Sequence, residues 1–258
     1  MKWRLLELKT YDGFTNMAID EAILKSVENN QSDPTIRFYK WDPGCISLGY
    51  RQKIDDINLN LCKQLGIDIV RRITGGRAVY HHTTDLTYSL TVSESSLGFT
   101  KRQIIKESHR YICQHIIDAL NKMGIDGALY TLNDIRVNNK KISGSAQNPT
   151  PIDGRKVILQ HGTFLLNYDE DLMRKLIPDD IESSTISLSQ LISLTELEIY
   201  SILKESFLKG KQFEIGELTE LELKVAQELV ETKYTKDWWT IDQGTVFKGS
   251  CYQRPGQI

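Results

Sequence analysis

Apolar residues recur along this chain in two rhythms, one of period two and one near 3.6, and their order sketches a fold. Residues 3–8 form a short apolar run that predicts a strand. After Tyr11-Asp12-Gly13, residues 16–27 place Met17, Ile19, Ala22, Ile23 and Val27 at helical spacing. Two β-rich runs, 35–39 and 45–50, flank Asp42-Pro43-Gly44 and predict a hairpin. A helix over 59–65 closes at Gly66, and 67–71 predicts a strand running into Thr74-Gly75-Gly76, with extended residues 78–80 and 86–92 beyond. Residues 103–123 repeat Ile104, Ile105, Tyr111, Ile112, Ile116, Ile117, Leu120 and Met123 three and four apart, predicting the longest helix, packed across a sheet. Strands are expected at 134–137, 141–145 and 157–166, with Pro149, Pro151 and Gly154 marking a loop. Helices follow at 169–176, 187–192, 195–208 and 219–232. Strands in the centre and helices at the end predict an α+β fold: a mixed, mostly antiparallel central sheet flanked by helices.

Composition narrows this little. At 258 residues, 40% hydrophobic and 26% charged, the chain reads as one main globular domain over 1–239, followed by a tail over 240–258 with Gly244, Gly249, Pro255 and Gly256. A formal charge of -2 gives no global field for nucleic acid or an anionic membrane. The chain has no apolar run of membrane-spanning length, and its start, Met1-Lys2-Trp3-Arg4-Leu5, lacks the apolar stretch of a signal peptide; a cytoplasmic protein is expected. Cys45, Cys62, Cys113 and Cys251 are scattered, with no Cys-x-x-Cys pair, and read as reduced thiols rather than zinc ligands or staples.

Three segments carry candidate chemistry. Arg71-Arg72-Ile73-Thr74-Gly75-Gly76-Arg77-Ala78-Val79-Tyr80-His81-His82 gathers three guanidinium groups around a Gly-Gly pair, with Asp85 just beyond. Glycine lets backbone N–H groups approach an anion and arginine supplies charged forks, although a solvated basic turn has the same composition. Asn133-Asp134-Ile135 precedes Lys140-Lys141-Ile142-Ser143-Gly144-Ser145-Ala146-Gln147, where small residues let a substrate lie against the backbone. A lysine there can stabilise charge developing on an acyl carbonyl, and Asp134 is the candidate ligand for a magnesium ion; a charged hairpin is the bland alternative. Val157-Ile158-Leu159-Gln160-His161-Gly162-Thr163-Phe164 sets His161 inside an apolar strand, as a hydrogen-bonded structural group or a base.

Taken together, these segments resemble the lipoate–protein ligase A and octanoyltransferase superfamily. The resemblance starts at Asn16-Met17-Ala18-Ile19-Asp20-Glu21-Ala22 and Ile36-Arg37-Phe38-Tyr39. It continues through Gly49-Tyr50-Arg51-Gln52 and the three segments above to Lys233-Tyr234 and Trp238. It implies the catalytic fold shared by biotin–lipoate ligases and class II tRNA synthetases, and an ATP-dependent lipoate–protein ligase. In such an enzyme lipoate and ATP give lipoyl-adenylate with Mg2+, and a lysine of an acceptor then attacks it. The implied acceptors are the E2 component of a 2-oxoacid dehydrogenase or the H protein of glycine cleavage. Lys141 matches the lysine contacting the acyl carbonyl. The loop from Arg71 to Val79 matches the segment covering the adenylate, with Gly75 and Gly76 near the phosphate and the Val79-Tyr80 backbone near the adenine. Trp41, Leu48 and Val70 are candidates for the acyl slot.

The match departs in two places. Ligases of the family continue Gly-Gly-Gly and then His-Asp, where this chain has Arg77 and His82; Arg77 resembles the octanoyltransferases. Those enzymes work through a cysteine acyl-enzyme whose thiol lies near Tyr130-Thr131-Leu132-Asn133-Asp134, and this chain has no cysteine between Cys113 and Cys251. The expectation is therefore a ligase, with octanoyl transfer from acyl carrier protein as the alternative and a non-catalytic lipoyl-binding subunit as a third reading. Many ligases of the family carry a further small domain, and the residues after Trp239, 240–258, are too few to build one, so the expectation is a separately encoded accessory subunit as partner for forming the adenylate.

Overall fold

Period-two stretches of the chain pair into two sheets, and helices cover both faces of the larger one. The computed structural model describes residues 1–98, 104–148, 157–178 and 185–242. In chain order the strands and helices are β1 (Lys2–Tyr11), α1 (Gly13–Glu28), β2 (Thr35–Trp41), β3 (Cys45–Leu48), α2 (Leu59–Leu65), β4 (Asp68–Arg71), β5 (Val79–His81), β6 (Leu86–Ser93), α3 (Glu94–Leu97) and α4 (Ile104–Lys122). There follow β7 (Ala128–Leu129), β8 (Asp134–Val137), β9 (Lys140–Gln147), β10 (Val157–Phe164), α5 (Glu170–Leu176), α6 (Glu196–Leu208), β11 (Gln212–Ile215), α7 (Glu220–Leu229) and α8 (Asp237–Thr240). The large sheet runs β11-β1-β2-β6-β10-β9-β8-β7 and the small one β4-β3-β5. In the large sheet only β1 is parallel to its neighbours, so the architecture is the mixed, mostly antiparallel α+β fold expected.

Alternation along β2 decides which side chain meets which helix layer. Ile36 and Phe38 enter the cluster built with α4 and α6, while Tyr39 enters the cluster built with α1 and α7. On the first face α4 buries Ile112, Ile116, Ala119 and Leu120 against Leu203 and Phe207 of α6. The Phe207 ring meets Phe38 edge-on at 5.6 Å and Tyr88 at 4.8 Å. On the second face Met17, Ala18 and Ile23 of α1 pack against Ala226 and Leu229 of α7. Local signals set the helix starts: Asp12 caps α1 by accepting from the Thr15 N–H, and Thr195–Glu198 and Thr219–Glu222 form capping boxes on α6 and α7.

Three expectations change. The runs flanking Asp42-Pro43-Gly44 do not form a hairpin, because β2 pairs with β1 and β6 in the large sheet while β3 pairs with β4 and β5 in the small one; the turn switches sheets. Residues 187–192 form only a 3-10 turn, Leu188–Gln190. The helical end also contains β11, a fully exposed edge strand that the pattern hides because Phe213 and Ile215 are exposed along with their polar neighbours. Gln103, Pro149, Pro151, Gly154, Gly244, Gly249, Cys251, Pro255 and Gly256 lie outside the described residues. Among the described residues no helix is long and apolar enough to cross a membrane.

Candidate active site

A cavity of about 660 Å³ opens where β9, β10 and β6 of the large sheet meet the small sheet and α5. The turn of the β8–β9 hairpin supplies its central cation. Asn138 and Asn139 both have positive φ, 50° and 64°, as a two-residue hairpin turn requires, and Val137 pairs with Lys140 around it. A register shift between Ile135 and Arg136 then brings Asp134 opposite Gly144. As a result Lys141 Nζ sits 2.9 Å from Asp134 Oδ1, half-buried at the cavity wall. Gly144 makes this possible: a Cβ there would lie 2.9 Å from Lys141 Cε and 3.1 Å from Nζ.

The basic loop between β4 and β5 is built differently from a set of free anion forks. Arg71 is fully buried and outside the lining; its guanidinium donates to the carbonyls of Gly49, Tyr50, Gln52, Trp239 and Thr240. Arg72 reaches the cavity but donates to the Ser47, Gly75 and Arg77 carbonyls, cinching its own loop. Burial pushes the Arg72 guanidinium down to about 10. The loop lies close over the end of β3: at Gly49 a Cβ would fall 1.8 Å from the Gly76 carbonyl oxygen, so only glycine fits. Gly76, Arg77, Ala78, Val79, Tyr80, His81 and Asp85 line the cavity, whereas Thr74 and Gly75 do not.

Thr74 instead receives His161. The imidazole Nδ1 donates to Asp20 Oδ2 at 2.9 Å and Nε2 accepts from Thr74 Oγ1 at 2.7 Å, so both ring nitrogens are engaged. Asp20 also accepts from Arg37, Tyr39 and Ser89. Burial alone raises the Asp20 carboxyl, but Arg37 and His161 more than offset this and hold it below the usual range. His161 therefore ties β10 to α1 and the loop, the structural role open to it in sequence, while still facing the cavity. Asp85 accepts from the His82 and Leu166 N–H groups at 3.1 and 3.0 Å; burial raises its carboxyl to about 7.

From the small-residue segments Asn133, Gly144, Ser145, Ala146, Gly162 and Thr163 reach the lining, and Ser143 turns away, donating to the Thr163 carbonyl. The apolar wall comes from Met17, Tyr39, Trp41 and Leu165, with Trp41 stacked on His81 at 4.1 Å. Of the expected acyl-slot residues Trp41 is present, while Leu48 and Val70 pack into separate clusters. Tyr39, Ser47, Thr87 and the α5 residues Glu170, Met173 and Arg174 were not readable as a site, since they sit on four separate elements. Asp134, the candidate magnesium ligand, has its carboxylate paired with the Lys141 ammonium, and among the described residues no three His, Cys, Asp or Glu side chains converge. Cys45, Cys62 and Cys113 are free and buried, and none lines the cavity.

Residues 12–208 match the family model of the lipoyl protein ligase A/B catalytic domain. The chain is 36% identical to the octanoyltransferase LipM of Clostridioides difficile, over 92% of this chain and 97% of that one. Among solved structures it is similar to a bipartite lipoate protein ligase from Thermoplasma acidophilum (27% identity, TM-score 0.80, 95% of this chain and 97% of that one). It is also similar to a lipoate-protein ligase A bound with ATP (26% identity, TM-score 0.81, 95% and 99%). The octanoyltransferase likeness overturns the expectation of an ATP-dependent lipoate ligase working through an acyl-adenylate. Two of the three arginines read as phosphate forks are committed to backbone carbonyls. On the match over residues 12–208 and on the shared fold, this chain belongs to the lipoyl protein ligase A/B catalytic-domain family of enzymes.

Proposed function

We propose that this protein transfers an octanoyl group from an acyl-carrier-protein thioester to a lysine of a lipoyl-type acceptor domain. The observation that carries the reading is the Lys141–Asp134 pair, 2.9 Å apart at the wall of an apolar-sided cavity, in a chain similar to octanoyltransferases over nearly its whole length. A thioester is already activated, so the reaction needs no nucleotide. With no described thiol facing the cavity, the acceptor amine attacks the thioester carbonyl directly: the C–N bond forms, the C–S bond breaks, and the leaving sulfur takes the proton the amine gives up. Asp134 orients the Lys141 ammonium toward the carbonyl oxygen, where negative charge develops. Met17, Tyr39, Trp41 and Leu165 form the slot for the eight-carbon chain. The acceptor is an E2 lipoyl domain or an H protein, in keeping with the bipartite ligase structure that is described together with its E2 lipoyl domain.

The test is mass spectrometry of an acceptor domain incubated with octanoyl-carrier protein and this enzyme. One octanoyl adduct on one lysine is expected; Lys141→Ala should lower its rate about 100-fold or more, and serine at all four cysteines should leave it. Loss of transfer in the cysteine-free variant, with a thioester-linked octanoyl adduct on the wild-type enzyme, would replace direct attack by a cysteine relay.

A further inference from the structure

A buried hydrogen-bond chain runs along the cavity wall from Trp41 to Arg72. Trp41 Nε1 donates to Thr87 Oγ1 at 2.8 Å, Thr87 and Thr163 hydroxyls are 3.1 Å apart, and Thr163 Oγ1 is 2.9 Å from His81 Nδ1. His81 Nε2 is 2.8 Å from Ser47 Oγ, to which Arg72 Nη1 donates at 3.2 Å. All six residues are at least nine-tenths buried. Both ends are groups that only donate, since an indole N–H and a guanidinium have no acceptor. Trp41, Thr87, Thr163, neutral His81, Ser47 and Arg72 each bring one proton to five contacts. One proton is left over. It must belong to a hydroxyl that accepts from both sides, because neutral imidazole cannot accept at both nitrogens. Burial, reinforced by the nearby Arg72 charge, drives the His81 imidazolium well below the ordinary histidine range and keeps the ring neutral.

Thr87, Thr163 and Ser47 can each be that hydroxyl and all three line the cavity, but Thr163 is the one placed beside the lysine. Thr163 pairs with Gly144 across β10 and β9, and paired residues present their side chains to the same face. The face at Gly144 is filled by the end of Lys141. The Thr163 hydroxyl and the Lys141 ammonium are thus neighbours on one wall of the cavity, while Thr87 lies a strand further away on β6. With the spare proton on Thr163, two runs converge there: Trp41 through Thr87, and Arg72 through Ser47 and His81.

We propose that the Thr163 hydroxyl is a catalytic hydrogen-bond donor that, with Lys141, holds the oxyanion formed when the acceptor amine adds to the octanoyl carbonyl. This rests on the octanoyl-transfer reading. As the C–N bond forms, the carbonyl π pair moves onto oxygen and is received by Thr163 and Lys141; it returns as the C–S bond breaks. The two hydrogen bonds that Thr163 accepts polarise its own O–H and make it a stronger donor.

The experiment measures kcat and KM for octanoyl transfer by wild type, Thr163→Val and Thr163→Ser, with the Kd of octylphosphonate by calorimetry as a second arm. Octylphosphonate carries an eight-carbon chain and tetrahedral anionic oxygens. Thr163→Val should lower kcat about 100-fold with little change in KM, and Thr163→Ser should restore it to within a few-fold. The octylphosphonate Kd should rise about 10-fold in the valine variant and stay near wild type in the serine variant. Full kcat in Thr163→Val, a loss that serine does not rescue, or an unchanged octylphosphonate Kd overturns the proposal. Absence of octanoyl transfer by the wild-type enzyme overturns the functional reading instead, and the phosphonate arm then decides the hydroxyl's role by itself.

Discussion

Gly144 has no side chain, and the end of Lys141 occupies the space a Cβ would take, with Nζ 3.1 Å away. Gly144→Ala therefore displaces the far end of a flexible side chain rather than backbone. It should lower octanoyl transfer roughly 10-fold or more through the misplaced ammonium, while far-UV circular dichroism and melting temperature stay near wild type. Normal kcat in this variant would mean that Lys141 acts from another position. The pairing of Lys141 with Asp134 was within reach of the sequence, because seven positions and an Asn-Asn turn separate them. The contacts Asp20–His161 and Thr74–His161 were not, since they join residues 141 and 87 positions apart and depend on sheet order. The same holds for the two buried arginines: their charge was legible, but their engagement by carbonyls of distant loops was not.

Among the elements, α6 shows what holds the site's sheet flat against its helices. Phe207 is fully buried between Phe38, Tyr88 and the His115 ring, 5.1 Å away. Phe207→Ala should destabilise the protein by about 3–5 kcal/mol, since the loss of ring burial adds to an unfilled cavity; denaturant unfolding that shows less than 1 kcal/mol would indicate that α6 repacks freely. Helices with long apolar periodicity, α1 and α4, were readable to within a few residues, as were β8, β9 and β10. What failed were elements whose identity depends on partners. The turn at Asp42-Pro43-Gly44 reads as a hairpin locally, yet β2 is held by β1 and β6 and β3 by β4 and β5. The β11 strand buries no face and exists because β1 offers it a parallel edge.

At the scale of the whole molecule, acid tests the buried titratable groups. Burial pushes His109 down to about 4 and His115 down to about 3, and holds His81 well below the ordinary range. Below pH ~6.5 the unfolded chain binds protons at all three that the folded protein does not, so stability is lost as pH falls. Asp85 works the other way: with its carboxyl raised to about 7, the folded protein takes up its proton before the unfolded chain does, which stabilises on acidification. Three histidines against one carboxyl leave a net loss, on the order of 3 kcal/mol between pH 7 and pH 5. Urea midpoints at the two pH values check this, and equal or higher stability at pH 5 would mean the histidines are charged in the folded state. The central claim is the identity of the acyl donor. Its most direct measurement compares two reactions of the purified enzyme with one acceptor domain: octanoyl-carrier protein without nucleotide, and lipoate with ATP, following acyl-lysine formation in both and pyrophosphate release in the second. The account predicts octanoyl-lysine from the carrier thioester and no pyrophosphate from lipoate and ATP. Pyrophosphate release with lipoyl-lysine formation, and no product from the octanoyl carrier, would contradict it.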